Sequence, residues 1–259
     1  MANVADAQYY QVAAPRSLGE RLAIVARDRI YDDLIRYCRP GRDDTVLDVG
    51  VSDVVNDAAN VLERKYPYQD RITAVGLGEG NAFNASYPKA AYRQIEANRP
   101  LPFADKTFDI AVSNAVLEHV GSESDQAAFV RELCRVAGKV FISVPNRYFP
   151  VEHHTAIPLL HFWTSSFELA CRWLGKAAWA DERNLILMSW PRLAALAPQS
   201  LAPQSLAPEG PARQDMAFRD PAPKGIAPII GHTGIMLGPF SSNLFLFIDG
   251  LARNPAKPP

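Results

Sequence analysis

Cysteine is scarce in this chain and never clustered. Cys38, Cys134 and Cys171 are scattered over 259 residues, with no C-x-x-C pair and none beside a histidine at metal-ligand spacing. That argues against a disulfide framework or a thiolate metal knuckle and suits a reducing compartment, where such thiols serve as small buried hydrophobes. An excess of charge of one sign is also missing: 27 basic residues face 28 acidic ones, for a net charge of −1. With no basic run either, nucleic acid is not an expected partner. No apolar run approaches the roughly 18 residues of a membrane span. The opening MANVADAQYY has neither the basic cluster nor the apolar core of a secretory signal. The expectation is a cytoplasmic protein without a transmembrane segment. What is present is an ordinary globular composition, 48% hydrophobic and 21% charged, in a length that suits one large α/β domain or two small ones.

The chain reads as one domain over residues 17–252, behind a flexible lead-in at 1–16 and ahead of a disordered tail at 253–259. SLGE places Ser17 as N-cap with Glu20 three residues on, a capping box. Leu18, Leu22, Val25, Ile30, Leu34 and Tyr37 then follow at near-helical spacing until Pro40-Gly41. Strands are expected at Thr45–Val49, Ile72–Leu77, Ala91–Ile95, Phe108–Ser113 and Lys139–Val144. A helix carrying Val55, Ala58, Leu62 and Tyr66 separates the first two. Another opens at Ser122, with Asp125 three on, and is ended by Gly138. Strands alternating with helices argue for an α/β fold with a mainly parallel sheet. The link from Ala97 to Thr107 is too short for a full crossover helix. LAPQSLAPQSLAPE opens a proline-rich stretch at about 197–224, read as a flexible insertion. GIAPIIGHTGIML and SSNLFLFID, joined by Gly238-Pro239, then read as a closing hairpin.

Glycine is scarce where it is most expected. TVLDVGVSDV, residues 45–54, reads as a buried strand, a turn and a helix start, the opening of a nucleotide-type cofactor site, yet it holds only Gly50. A nicotinamide dinucleotide needs G-x-G-x-x-G so that its pyrophosphate can sit on a helix N-terminus. Here the second glycine is absent and Asp53 brings a carboxylate to the turn, so this alternative is the weaker one.

The order TVLDVG, ITAVGL, LPFADKTFDIAVSNAVLEHV, RELCRVAGKVFISVPNRYFP resembles a class I S-adenosylmethionine-dependent methyltransferase, and within that class the methyltransferase type 11 domain. The likeness covers roughly Asp43 to Trp163. It implies a Rossmann-like, mainly parallel seven-stranded sheet with helices on both faces, whose C-terminal antiparallel hairpin supplies strands six and seven. It implies S-adenosylmethionine as cofactor, with Asp48, Gly50, Val51 and Ser52 cupping its amino-acid part. The family's D-x-G-x-G-x-G is D-x-G-x-S-x-V here, with Ser52 and Val54 in place of glycines. The acid that usually accepts from the ribose hydroxyls is replaced by Gly76, with Glu79 as substitute. The adenine-contacting position corresponds to Ala97, next to Asn98, and Asn114 follows the fourth strand.

Methyl transfer from a sulfonium is a direct displacement, so a protein chiefly aligns the acceptor and excludes water. A base is needed only where the acceptor carries a proton. The segments after strands four and five, Asn114–His119 and Asn146–His161, are the candidate acceptor region. Glu152, His153 and His154 form the densest titratable cluster, and histidine titrates nearest working pH. Relatives that read PVEFHT where this chain has PVEHHT favour His154 as base. Adjacent histidines on a loop point apart and no third residue stands at ligand spacing, so no metal site is expected. His119 reads as a structural hydrogen-bonder and Arg147 as a surface residue or a partner for an anionic group. Tyr148, Phe149, Phe162 and Trp163 form either core beneath a loop or a lid over an apolar or lipid-linked acceptor. The expected activity is methylation of a small molecule; the alternative is a non-catalytic relative that binds a metabolite or partner through the same cleft.

Overall fold

A computed structural model of the chain describes residues 18–53, 59–197, 204–205 and 228–249. Ser17, Val54, Val55, Ala58, both termini and most of the proline-rich stretch lie outside these residues. The strands are β1 Val46–Val49, β2 Ile72–Gly76, β3 Ala91–Gln94, β4 Phe108–Asn114, β5 Ala137–Pro145, β6 Gln204–Ser205, β7 Ile229–Leu237 and β8 Phe240–Ile248. They form one sheet in the order β3-β2-β1-β4-β5-β8-β7-β6. The first five run parallel, β8 lies antiparallel between β5 and β7, and β6 pairs parallel with β7. The seven-stranded Rossmann-like sheet with its antiparallel hairpin is thus present. A two-residue strip, β6, is added from the stretch read as an insertion.

The central strands are continuous apolar runs because both faces are covered. Leu47, Val49, Val140, Ile142 and Val144 point to one face, against α4 (Glu123–Val136) and α6 (Trp190–Leu196). Val46, Ile110, Val112 and Phe141 point to the other, against α1 (Leu18–Cys38) and α2 (Val61–Lys65). This is the two-residue alternation of a strand buried on both sides. The β7–β8 pair requires Gly231, since a Cβ there would stand 2.4 Å from the Phe245 ring.

α4 starts as its sequence dictates: the Ser122 side chain accepts from the Asp125 amide, and Asp125 accepts in return from the Ser122 amide. Its end differs from expectation. The helix stops at Val136 and Gly138 belongs to β5. Ala137 already has extended backbone, and Lys106 Nζ donates to the carbonyls of Cys134 and Ala137, so a cation rather than a glycine closes the helix. Lys139 Nζ similarly donates to Cys38 O at the end of α1, at 2.7 Å. As expected, no helix occupies the link between β3 and β4.

After β5, residues 146–189 build a satellite core of Ile157, Phe167, Ala170, Cys171, Trp179 and Leu185 around α5 (Thr164–Trp173). All three cysteines are free thiols, with Cys38 and Cys171 buried. No helix among the described residues is long and apolar enough to cross a membrane.

Candidate active site

In an open α/β sheet the ligand crevice lies beyond the carboxyl ends of the strands, where the strand order reverses. That point here is β1, flanked by β2 and β4, and a cavity of about 1230 Å³ opens beside it. Residues 48–53 after β1, 76–78 after β2, the link 95–101 and residues 114–116 after β4 line it. Leu22, Ala26 and Ile30 of α1 face into it, and residues 152–154 complete its wall. Leu22, read from the sequence as a helix-core position, is 43% exposed because its neighbour is this cleft.

The turn after β1 shows why one glycine is indispensable. Gly50 has φ +97°, and a Cβ there would lie 2.2 Å from Val116 Cγ2, so any side chain would be both strained and obstructed. The amides of Gly50 and Val51 donate to Val75 O at 2.8 and 3.2 Å. Side chains fasten the remainder. Asn60 accepts from the Ser52 amide at 3.0 Å and donates to Ser52 O at 2.9 Å. Asp53 accepts from the amides of Gly80 and Phe83 at 3.2 and 3.0 Å. Its carboxylate therefore serves the start of α3 (Asn81–Ser86).

Asp48 lies below this turn against Glu63 of α2, which is fully buried. Burial lifts the Asp48 carboxyl to about 7, against the hydrogen bond from Glu63 that lowers it. Burial and the neighbouring Asp48 charge push Glu63 well above the carboxylate range. Among the described residues no hydrogen bond of ordinary geometry reaches either Glu63 carboxyl oxygen. Burial and mutual repulsion thus hold both carboxyls above the usual carboxylate range.

Asp48, Gly50, Val51, Ser52, Ala97, Asn98 and Asn114 all line the cleft. Asn114 Oδ1 accepts from Ser143 Oγ at 2.6 Å, and Asn98 holds a positive φ of 56°. Glu79 is not among the residues lining the cleft; its carboxylate accepts from Asn81 Nδ2 at 2.8 Å. Of the four aromatics after β5, Phe149 lines the cleft, whereas Tyr148 and Trp163 are exposed. Arg147 donates to Phe162 O and Thr164 Oγ1, both at 3.3 Å, which ties its loop to α5.

Glu152, His153 and His154 come together as the sequence suggested. The Glu152 carboxylate accepts from the amides of His154 and Thr155, from Thr155 Oγ1 and from His154 Nδ1, the last at 2.8 Å. Burial would raise its pKa, but the His154 hydrogen bond and charge and the other donors bring it to about 2. Burial lowers His154, yet Glu152 outweighs burial and leaves its pKa above the ordinary value. Burial and the His154 charge take His153 down to about 4. His153 Nε2 has no hydrogen-bond partner among the described residues.

Four more residues stand at or beside the cleft: Glu118 and His119, within the Asn114–His119 segment taken as a candidate, and Arg27 and Glu63, which were not singled out. His119 reaches His154 directly, Nε2 to Nε2 at 3.1 Å, and its Nδ1 lies 2.7 Å from Asn184 O. Both imidazole rings pack near Trp179. Glu118 is buried behind them, raised to about 7 chiefly by burial. Arg27 of α1 lines the cleft, and its guanidinium feels the Glu118 charge. Glu63 completes the group. Only the LEH tripeptide hinted at any of them; Arg27 and Glu63 carry no local signal of the partners they meet in the fold.

Residues 47–140 match the sequence model of the family described as a methyltransferase domain. This segment is similar to a methyltransferase domain. The matched segment runs from β1 into β5 and carries the Gly50 turn, the end of β2, the β3–β4 link and Asn114; residues 152–154 lie beyond it. No curated protein matches the chain significantly. Among solved structures, a SAM-dependent methyltransferase from Methanosarcina mazei is 19% identical over 46% of this chain and 59% of its own, with a TM-score of 0.38. A protein from Pyrococcus horikoshii is 19% identical over 52% and 63%, with a TM-score of 0.41. A SAM-dependent methyltransferase from Aquifex aeolicus is 17% identical over 65% and 86%, with a TM-score of 0.42. The first two alignments span less than two thirds of those chains' own length.

Proposed function

We propose that the chain is an S-adenosylmethionine-dependent methyltransferase acting on a small-molecule acceptor. The observation that carries this reading is the large cleft at the ends of β1, β2 and β4, lined in good part by the segment that matches a methyltransferase domain. The residues present suit the cofactor. The volume of about 1230 Å³ exceeds what one ligand of this size occupies, and Gly50 keeps the turn free of a Cβ. When bound, the cofactor supplies an activated methyl group on a sulfonium.

The protein's own part is positional. Asp48 and residues 50–52 hold the amino-acid end, and Ala97 and Asn98 border the base. Ala26 and Ile30 of α1 supply apolar wall that keeps water from the reacting centre. The acceptor enters between residues 114–119 and 149–154. There Glu152 orients His154 through Nδ1, the arrangement of a general base and its positioning carboxylate. His154 Nε2 contacts His119 Nε2, so the proton of a hydroxyl acceptor reaches this base once the two rings part. His153, neutral at working pH, lines the same wall.

A second reading, a non-catalytic protein that binds a metabolite or partner through this cleft, is favoured by one feature: Glu79 is not in the cleft wall, and the Asp53 carboxylate beside Gly78 is occupied by the amides of Gly80 and Phe83. Thermal-shift titration separates the possibilities. S-adenosylmethionine and S-adenosylhomocysteine at 100 times their dissociation constants should each stabilise by about 2.7 kcal/mol, and NAD should not. Asp48→Ala should abolish the shift. No shift with either ligand refutes the cofactor assignment; a shift without methyl transfer to any acceptor pool supports the second reading.

A further inference from the structure

The contact between His119 and His154 is chemically incomplete as two neutral rings. His119 Nδ1 is 2.7 Å from Asn184 O, a carbonyl that can only accept, so Nδ1 carries the proton and Nε2 a lone pair. His154 Nδ1 faces the Glu152 carboxylate at 2.8 Å, and that carboxylate also accepts from two backbone amides and the Thr155 hydroxyl. An acid so surrounded by donors is ionised, so His154 Nδ1 carries the proton as well. The two Nε2 lone pairs then point at each other across 3.1 Å. Something positive belongs between them, either a third proton or a metal ion.

Glu118 distinguishes these. Its side chain is 1% exposed, and neither carboxylate oxygen has a hydrogen-bond partner among the described residues. One oxygen lies 3.9 Å from His119 Nε2. The ligand atoms of Glu118, His119 and His154 all fall within 4.8 Å of one another. A shared proton gives Glu118 a charge at 3.9 Å but no bonded partner; a metal ion gives all three a direct bond. We propose that Glu118, His119 and His154 bind a divalent transition-metal ion of the zinc type.

The geometry and the surroundings agree. Tetrahedral zinc with bonds of about 2.0–2.1 Å holds its ligand atoms roughly 3.3 Å apart, close to the Nε2–Nε2 separation, and the carboxylate closes the remainder by an approach of roughly 1 Å. Each histidine has the outer partner typical of a metal ligand, a backbone carbonyl for His119 and a carboxylate for His154. Glu118 and Glu152 together balance a dication, and Arg27 is the one cation whose charge reaches Glu118 from α1. Both imidazoles line the cleft, so a fourth position is reachable by an acceptor. An ion there would lower the pKa of a bound hydroxyl and take over the work of a base. The three ligands were not visible as a set in the sequence because 35 residues separate His119 from His154.

The test uses the full chain, stripped with EDTA and titrated with zinc chloride against a competing chelator. One zinc per chain is expected, with Tm lowered by EDTA and restored by zinc. Glu118→Gln and His119→Gln should each weaken binding at least tenfold while retaining the fold by circular dichroism. Cobalt(II) should give the visible spectrum of a tetrahedral nitrogen–oxygen site, lost in Glu118→Gln. Substoichiometric zinc, or affinity unchanged in both variants, would establish the shared proton instead. Binding that survives both variants and disappears on thiol alkylation would assign the ion to cysteine and equally overturn the proposal. Cofactor titration of the zinc-free protein reads the β1–β2 wall separately, so failure of one assignment is distinguishable from failure of the other.

Discussion

Replacing Asp48 by Asn should flatten a defined part of the stability–pH curve. Asp48 is 8% exposed against Glu63, and burial lifts its carboxyl from 3.8 to about 7. A group whose pKa is raised by folding is protonated in the native state while already ionised in the unfolded chain. Its stabilising contribution is complete below about pH 3.8 and is lost as pH climbs through 7. A displacement of about three units at about 1.4 kcal/mol each amounts to about 4 kcal/mol. Glu63, also raised, acts in the same direction. Chemical denaturation of wild type and Asp48→Asn at intervals between pH 4 and pH 8 measures the difference. Asn has a fixed effect from lost packing, so only the pH-dependent part counts. The variant should gain up to about 4 kcal/mol on wild type across that interval, equivalent to roughly 10 °C in Tm for a chain of this size. A gap constant from pH 4 to pH 8 would show that Asp48 titrates normally and that the buried acid pair is misassigned.

Gly50→Ala should destabilise by about 2–5 kcal/mol, since it combines a disfavoured positive φ with a Cβ driven into Val116; denaturant midpoints and the S-adenosylmethionine shift should both fall. Gly231→Ala should cost about 1–3 kcal/mol through the Phe245 ring, without altering ligand affinity measured on the folded fraction. Arg135 pairs with Glu132 and Asp105 and donates to the carbonyls of Leu101 and Phe103. Arg135→Ala should therefore loosen the β3–β4 link, seen as faster amide exchange at residues 101–105 and a loss of about 1 kcal/mol.

The parallel sheet was legible because its central strands are buried on both faces and must be apolar throughout. The Ser122 capping box was legible because two side chains in fixed register create it. The end of α4 was not, since a lysine 30 residues before Val136 closes it from another segment. The candidate site divides in the same way. Gly50 and Asp48 follow one another along the chain, so a local pattern exposes them. Glu63 is read as a solvated acid on a short helix unless its proximity to Asp48 is known. Glu118 and His119 sit in LEHV beside a strand end, and their meeting with His154 depends on how the segment after β5 folds back. Glu79 was placed by counting residues, which cannot see that it stays out of the cleft wall.

The clamps formed by Asp53 and Asn60 have a wider mechanical meaning. They join the turn after β1 to α3 and to the base of α2 by side-chain hydrogen bonds. A substitution at Phe83, whose amide donates to Asp53 and which does not line the cleft, would shift the turn through Asp53. Resistance to such drift rests on side-chain anchors here, which makes α3 a lever on binding.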